Sequence, residues 1–232
     1  MTADAPVLVA EALSRGFGDR WALRGVNLRL RAGQSLLLAG HNGAGKTTLL
    51  RILAGLLRPT SGTLAILGHD PRRDLFAARR GLALVAHQGH HHLDLPAGEN
   101  LAVAARLLGL ASPDARVADA LHRVGLADRA DDAVATFSAG MKKRLTFARV
   151  LLQDPALVLL DEPWGQLDPA GFRFVDGLLA ELTGRGAAVV LATHLVERAG
   201  LLLDHGLLLE SGTPRWVGPA PELARAMREE GQ

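Results

Sequence analysis

Residues 40–49 read GHNGAGKTTL, and within them Gly40, Gly45, Lys46 and Thr47 stand at the spacing G-x-x-x-x-G-K-[ST]. Glycines let successive backbone N–H groups turn toward an anion, a lysine placed there reaches the outer phosphates of a nucleotide, and the hydroxyl after it can ligate Mg²⁺. His41, Asn42, Gly43 and Ala44 fill the loop and Thr48 follows it, so residues 40–48 form a candidate phosphate cradle. A second apolar run, ALVLLDE, ends in Asp161 and Glu162. An acid at a strand end beside a phosphate loop can hold Mg²⁺ through water, and a neighbouring carboxylate can orient or deprotonate an attacking water. A strand simply capped by exposed acids is the alternative.

These residues need elements to position them. SLLLAG, just before the loop, is a short continuous apolar run of the kind a strand buried on both faces requires. From Lys46 to about Ala54 the spacing becomes helical, so the positive end of a helix would point at the bound anion. Alternation predicts strands at VLVAEAL and VNLRLRAG, with Val26, Leu28 and Leu30 on one face, and a further strand over Thr63 to Leu67. Apolar strands follow at GLALVA, ALVLLDE and AAVVLATH, with helices near 99–109, 114–124, 139–152, 169–182 and 195–202. Strands alternating with helices imply a mostly parallel sheet with crossover helices. The run of helices from about 97 to 153, without a strand between them, reads as an insertion on that core.

The bulk properties bound the function classes. At 232 residues the chain is long enough for one domain with a subdomain. Its formal charge is only +2 with both signs interspersed, which argues against a nucleic-acid polyanion as partner. Cysteine is absent, which removes disulfides and thiolate metal sites and fits a reducing cytoplasm. No apolar run reaches the ~18 residues of a membrane span, and MTADAPVLVA lacks the features of a secretory signal, so a soluble, cytoplasmic chain is expected. Cations are nearly all arginine, with lysine only at positions 46, 142 and 143, a bias read as that of a GC-rich genome in preference to thermophily.

Further residues complete a specific resemblance. FSAGMKKR at 137–144 is similar to the LSGGQ signature of ATP-binding-cassette (ABC) proteins, with Ser138 and Gly140 in the matching places. DEPWGQLD is similar to the segment from the paired acids to the D-loop aspartate, here Asp168; Gln88 falls at the Q-loop glutamine, His194 at the switch histidine, and Phe17 at the adenine-stacking aromatic. The chain therefore resembles the nucleotide-binding subunit of an ABC transporter along nearly its whole length. The resemblance implies a P-loop NTPase (RecA-like) α/β core with a parallel sheet, an antiparallel β subdomain and a helical signature-motif subdomain, all within one domain over 1–232. It implies ATP and Mg²⁺ as cofactors, transmembrane permease subunits as partners, an ATP-dependent homodimer, and a location on the inner face of the cell membrane held by those permeases. Lys46 and the loop amides would neutralise the phosphates, and Thr47, Gln88 and Asp161 would organise Mg²⁺. Glu162 would polarise water, His194 would steady the γ-phosphate, and Ser138 and Gly140 would close the site of the opposite subunit. Phe17 could instead be a core residue and His194 a satisfied strand-end histidine. Lys142, Lys143 and Arg144 read as a solvated helix face. Ala139 and Met141 replace a glycine and the glutamine of the signature, and Gly165 and Gln166 stand where serine and alanine are frequent, departures that bear on dimer geometry and rate.

Within the family, residues 84–110, LVAHQGHHHLDLPAGENLAVAARLLGL, resemble the same stretch of the ATP-binding subunit of the bacterial haem exporter of cytochrome c maturation. Exporters of drugs, polysaccharides or lipids share much of it and are the alternative, together with non-transport ABC ATPases. DNA-repair members of the last class carry long coiled-coil arms that this sequence lacks, and translation factors carry two cassettes. His87, His90, His91 and His92 raise the possibility of metal or haem ligation, but no cysteine accompanies them and the surrounding turn is expected to be exposed.

Overall fold

A computed structural model describes residues 5–86 and 91–229. Two long antiparallel strands, β1 (Pro6–Phe17) and β2 (Arg20–Arg31), open the chain, followed by the short strand β3 (Ser35–Ala39) and helix α1 (Lys46–Leu53). Then come β4 (Ser61–Ile66), α2 (Leu75–Arg79), β5 (Leu82–Val85), and the helices α3 (Ala97–Leu107), α4 (Pro113–Arg123) and α5 (Ala139–Gln153). The second half alternates β6 (Leu157–Asp161), α6 (Pro169–Gly184), β7 (Ala188–Ala192), α7 (Val196–Gly200), β8 (His205–Glu210), β9 (Thr213–Pro219) and α8 (Ala220–Glu229). β1, β2 and β4 form a three-stranded antiparallel sheet in the order β2-β1-β4, and the other six strands form a sheet in the order β5-β6-β7-β3-β8-β9. In that second sheet β6, β7, β3 and β8 run parallel and β9 closes one edge antiparallel.

Every residue of β3 and β7 is buried, as a central parallel strand covered on both faces requires. The apolar face of α1, Leu49, Leu50, Ile52 and Leu53, belongs to one core with Leu8, Leu13, Leu23 and Ile66 of the antiparallel sheet and with Leu38, Leu159, Val190 and Leu207 of the larger one. At ~1.5–3 kcal/mol for each large side chain fully buried, those four α1 residues alone fix the helix firmly at the end of β3. The strand order sets the end of β3 next to the end of β7, with β6 one strand further out, and such neighbouring carboxyl ends are where open α/β sheets present their ligands.

The chain divides into two compact units. One comprises Met1–Leu84, Ala156–Pro163 and Leu178–Gln232; the other comprises Val85–Pro155 and Trp164–Gly177. The first holds both sheets, and the second holds α3, α4, α5 and the start of α6.

The predicted strands and helices all form, with ends moved by a few residues. The additional elements among the described residues are α2, β8, β9 and α8, with two short 3-10 turns at Ala127–Arg129 and Val134–Thr136. β1 runs beyond the predicted VLVAEAL because irregularities at Ala12, which takes a φ of 47°, and near Gly16 break the alternation without ending the pairing.

Candidate active site

In the sheet-bearing unit the loop from Gly40 to Gly45 leaves β3 and opens directly into α1, with Gly45 as N-cap at a φ of 106°. Its glycines are required for different reasons. A Cβ at Gly40 (φ 146°) would stand 2.3 Å from the Leu209 carbonyl oxygen, and one at Gly45 would stand 2.7 Å from the Ala22 oxygen, whereas Gly43 (φ 80°) has open space and needs only the left-handed backbone. The loop is thus clamped between the start of β2 and the turn after β8. There Gly212 N–H donates to the Ala44 carbonyl at 3.0 Å, and Arg24 N–H donates to the Gly212 carbonyl at 2.8 Å.

Lys46 Nζ curls over the loop and donates to the carbonyls of Gly40 at 2.5 Å and His41 at 3.1 Å. Burial pushes its pKa below the ordinary lysine value, a shift that the nearby carboxylates of Glu162 and Asp161 oppose. Thr47 Oγ1 donates to Asp161 Oδ2 at 3.2 Å, joining the first turn of α1 to the end of β6. These are two hard oxygen donors side by side, a set suited to Mg²⁺, which keeps several waters and takes the rest of its shell from substrate phosphates. Among the described residues no group of three or more His, Cys, Asp or Glu side chains gathers as a metal cage.

Glu162 follows β6 with a φ of 50°, a left-handed conformation that costs a non-glycine residue and persists where its surroundings enforce it. Its N–H donates to the Ala192 carbonyl at the end of β7 at 2.9 Å. Its side chain is largely enclosed: Oε2 accepts from Thr193 Oγ1 at 2.9 Å and lies 2.9 Å from His194 Nδ1, while the His194 ring is itself 74% exposed. Thr193 is buried and also caps the turn that follows by accepting from Leu195 N–H at 3.1 Å. The candidate site residues thus converge from three strand ends: Lys46 and Thr47 after β3, Asp161 and Glu162 at β6, Thr193 and His194 after β7.

Residues 23–165 match the family model described as ABC transporter. The chain is 37% identical over 223 residues, 95% of its own length and 70% of the relative's, to the daunorubicin resistance ATP-binding protein DrrA3 of Streptomyces coeruleorubidus. It is 35% identical over 202 residues, 86% of its length and 66% of the relative's, to the Nod factor export ATP-binding protein I of Burkholderia orbicola. Its fold superposes at a TM-score of 0.84 and 25% identity, covering 92% of this chain and 98% of the other, on the dimeric post-hydrolysis state of the ATP-binding cassette MJ0796 bound to ADP and Pi.

The chain is an ABC-family ATPase. It spans about two thirds of the length of those two sequence relatives.

In the cassette's helical unit, Ser138 is the N-cap of α5 and accepts from Met141 N–H at 3.2 Å, which satisfies one of the free amides at that helix start. Gly140 lies against the loop before α6: a Cβ there would stand 3.0 Å from the Gln166 carbonyl oxygen. Asp168 accepts from Gly171 N–H at 2.8 Å and pairs with Arg144 at 3.2 Å, so its carboxyl is held below the usual carboxylate range, first by the Gly171 amide and then by Arg144. Trp164, buried to 1% exposure, donates from Nε1 to Asp176 Oδ1 at 3.0 Å and pins the turn that carries Gly165 to Asp168. Substituting Ala139 and Met141 into the signature leaves this local capping intact.

Phe17 is half exposed and lies outside the core, which disposes of the packing alternative for it. The solvated-face expectation for Lys142, Lys143 and Arg144 is corrected in the cassette. Lys143 is buried with its Nζ 6.0 Å above the Phe147 ring, and Arg144 donates to the Val124 carbonyl as well as to Asp168, because α5 is packed on more sides than a surface helix would be. Gln88, His87 and His90 lie outside the described residues. His91 is not in an exposed turn: it is half-buried, with Nε2 3.0 Å from both the Lys142 carbonyl and Thr146 Oγ1, while His92 is exposed. Thr193 was not singled out by sequence, although its place between a buried strand and His194 is a signal that could have found it.

Proposed function

We propose that this cassette binds Mg²⁺·ATP at the ends of β3, β6 and β7 and hydrolyses it to drive a membrane exporter of the drug, polysaccharide or lipid group. The observation that carries the hydrolytic part is the fixed carboxylate of Glu162, held by Thr193 and aligned with His194, one residue from the Asp161–Thr47 pair. Lys46 and the loop amides at the N-terminus of α1 bind the phosphates, and bound phosphate oxygens replace the carbonyls of Gly40 and His41 as acceptors for Nζ. Thr47 and Asp161, with Gln88, would hold Mg²⁺, which would supply charge neutralisation on the phosphate oxygens. Glu162 orients the attacking water and draws off its proton, and His194 steadies the γ-phosphate. Phe17 offers a ring face to the base.

Ser138, Gly140 and Asp168 serve the site of a second copy in an ATP-dependent dimer, a mode that the dimeric ADP-bound cassette among the structural neighbours supports. No helix among the described residues is long and apolar enough to cross a membrane. Membership of the ABC transporter family supports transmembrane permease subunits as the partners that hold the cassette at the inner face of the membrane. The names of the sequence relatives, which concern daunorubicin resistance and Nod factor export, favour an exporter of that group over a haem exporter, for which the stretch 84–110 alone speaks. Co-purification from host membranes, with mass-spectrometric identification of what remains after washing, tests this. A drug- or lipid-type permease is the expected companion, and membrane proteins of cytochrome c maturation would reverse the assignment.

A further inference from the structure

We propose that Arg15 is a positioning residue for nucleotide binding: it backs the Phe17 ring on one face and so fixes and polarises the other face as the platform for the purine. The Arg15 guanidinium carbon sits 4.4 Å from the Phe17 ring centroid. That guanidinium is itself anchored, since its NH1 group donates to the Arg58 carbonyl at 3.0 Å and ties β1 to the segment before β4.

The local backbone explains how two residues of one strand, two apart, come to be stacked. Arg15 pairs with Leu23 and Gly16 with Trp21, so β2 carries one extra residue, Ala22, and the bulge twists the hairpin at that point. The Ala22 carbonyl oxygen is the atom against which Gly45 of the phosphate loop and Gly212 are closed, so the bulge that sets the stack also registers it against the loop. Phe17 remains 49% exposed although the arginine covers one of its faces, which leaves the opposite face open. Arg15 Nε is buried without a hydrogen-bond partner among the described residues. A buried donor left unsatisfied is costly, and the stacking of the guanidinium face on the ring is a favourable contact that offsets part of that cost. A cation on one face draws π density toward itself and leaves the other face less negative, which suits stacking by an electron-rich purine.

This inference rests on Phe17 being the base platform, and a double-mutant cycle separates the two claims. Titrations of the full chain with MgATP and with magnesium tripolyphosphate, which has phosphates and no base, are compared for Arg15→Met, Phe17→Ala and the double variant, with thermal unfolding as a check on folding. Arg15→Met is expected to raise the Kd for MgATP about two- to fivefold, the range of one exposed cation–π contact, with the tripolyphosphate Kd unchanged and with no further loss when Phe17 is already alanine. Loss of ATP affinity that is fully additive with Phe17→Ala, or shared by tripolyphosphate, overturns the role of Arg15. A Phe17→Ala variant that binds ATP normally overturns the platform itself.

Discussion

Gly212→Ala is the substitution for which the geometry predicts most from the smallest change. Gly212 sits in the turn between β8 and β9 at a φ of 80°, where an added Cβ would meet the Ala22 carbonyl oxygen at 2.4 Å and its carbon at 2.7 Å. Real Cβ contacts stay beyond 3.0 Å, so the turn and β2 must part by at least about 0.6 Å, and both neighbours are backbone that cannot rotate away. The displacement strains the Gly212 N–H bond to Ala44 and the Arg24 N–H bond to Gly212. Left-handed strain on an alanine costs ~1 kcal/mol and each lost hydrogen bond ~1 kcal/mol, for a total of ~3 kcal/mol. In a chain of this size that corresponds to a fall in Tm of roughly 6–12 °C. Because Ala44 belongs to the phosphate loop, ATP affinity should fall with stability. Gly68→Ala is the control: its φ of 82° imposes the same strain but nothing lies within 4 Å of the new Cβ. Thermal unfolding of the two variants isolates the clash. If Gly212→Ala melts no lower than Gly68→Ala, the clamp between loop, bulge and turn is refuted.

Two further outcomes are expected. Burial depresses the pKa of Lys46, so in the window between its folded value and the ordinary lysine value the unfolded chain holds the extra proton and the nucleotide-free protein gains stability as pH rises. ATP affinity should fall over that same window as the ammonium deprotonates, and Lys46→Met should flatten both profiles when melting and binding are followed from pH 7 upward. Trp164→Phe keeps one aromatic ring but deletes the Nε1 donor to Asp176 and empties part of the buried indole's volume, and should cost at least ~1.5–3 kcal/mol in denaturant unfolding.

The site was more legible in the sequence than the fold around it. Gly40, Gly45, Lys46 and Thr47 announce a phosphate loop by type and spacing, and Asp161 and Glu162 are conspicuous as the first charges after a continuous apolar run. Which strand ends adjoin is a property of sheet order, and β6, β7 and β3 are neighbours only through crossovers that no local pattern encodes. The strands β8 and β9 were invisible for a different reason. LLLDHGLLLE offers leucines without a period of two or 3.6, and β9 contains Pro214, Gly218 and Pro219, residues that weaken a strand signal and are tolerated because β9 is an antiparallel edge. The charge of Lys143 suggests solvent, whereas α5 buries the lysine stem and sets its ammonium over an aromatic ring. Arg15 had no sequence signal, since its contact with Phe17 arises from a bulge.

The central claim is that Glu162 is the group that activates water. Single-turnover and steady-state ATP hydrolysis by Glu162→Gln tests it, because glutamine keeps the size of the side chain and an oxygen that accepts from Thr193 Oγ1 at the 2.9 Å contact. ATP binding close to that of the unsubstituted chain, hydrolysis slower by a factor on the order of 10²–10³, and accumulation of an ATP-bound dimer are predicted. Turnover retained at the unsubstituted rate would contradict the account.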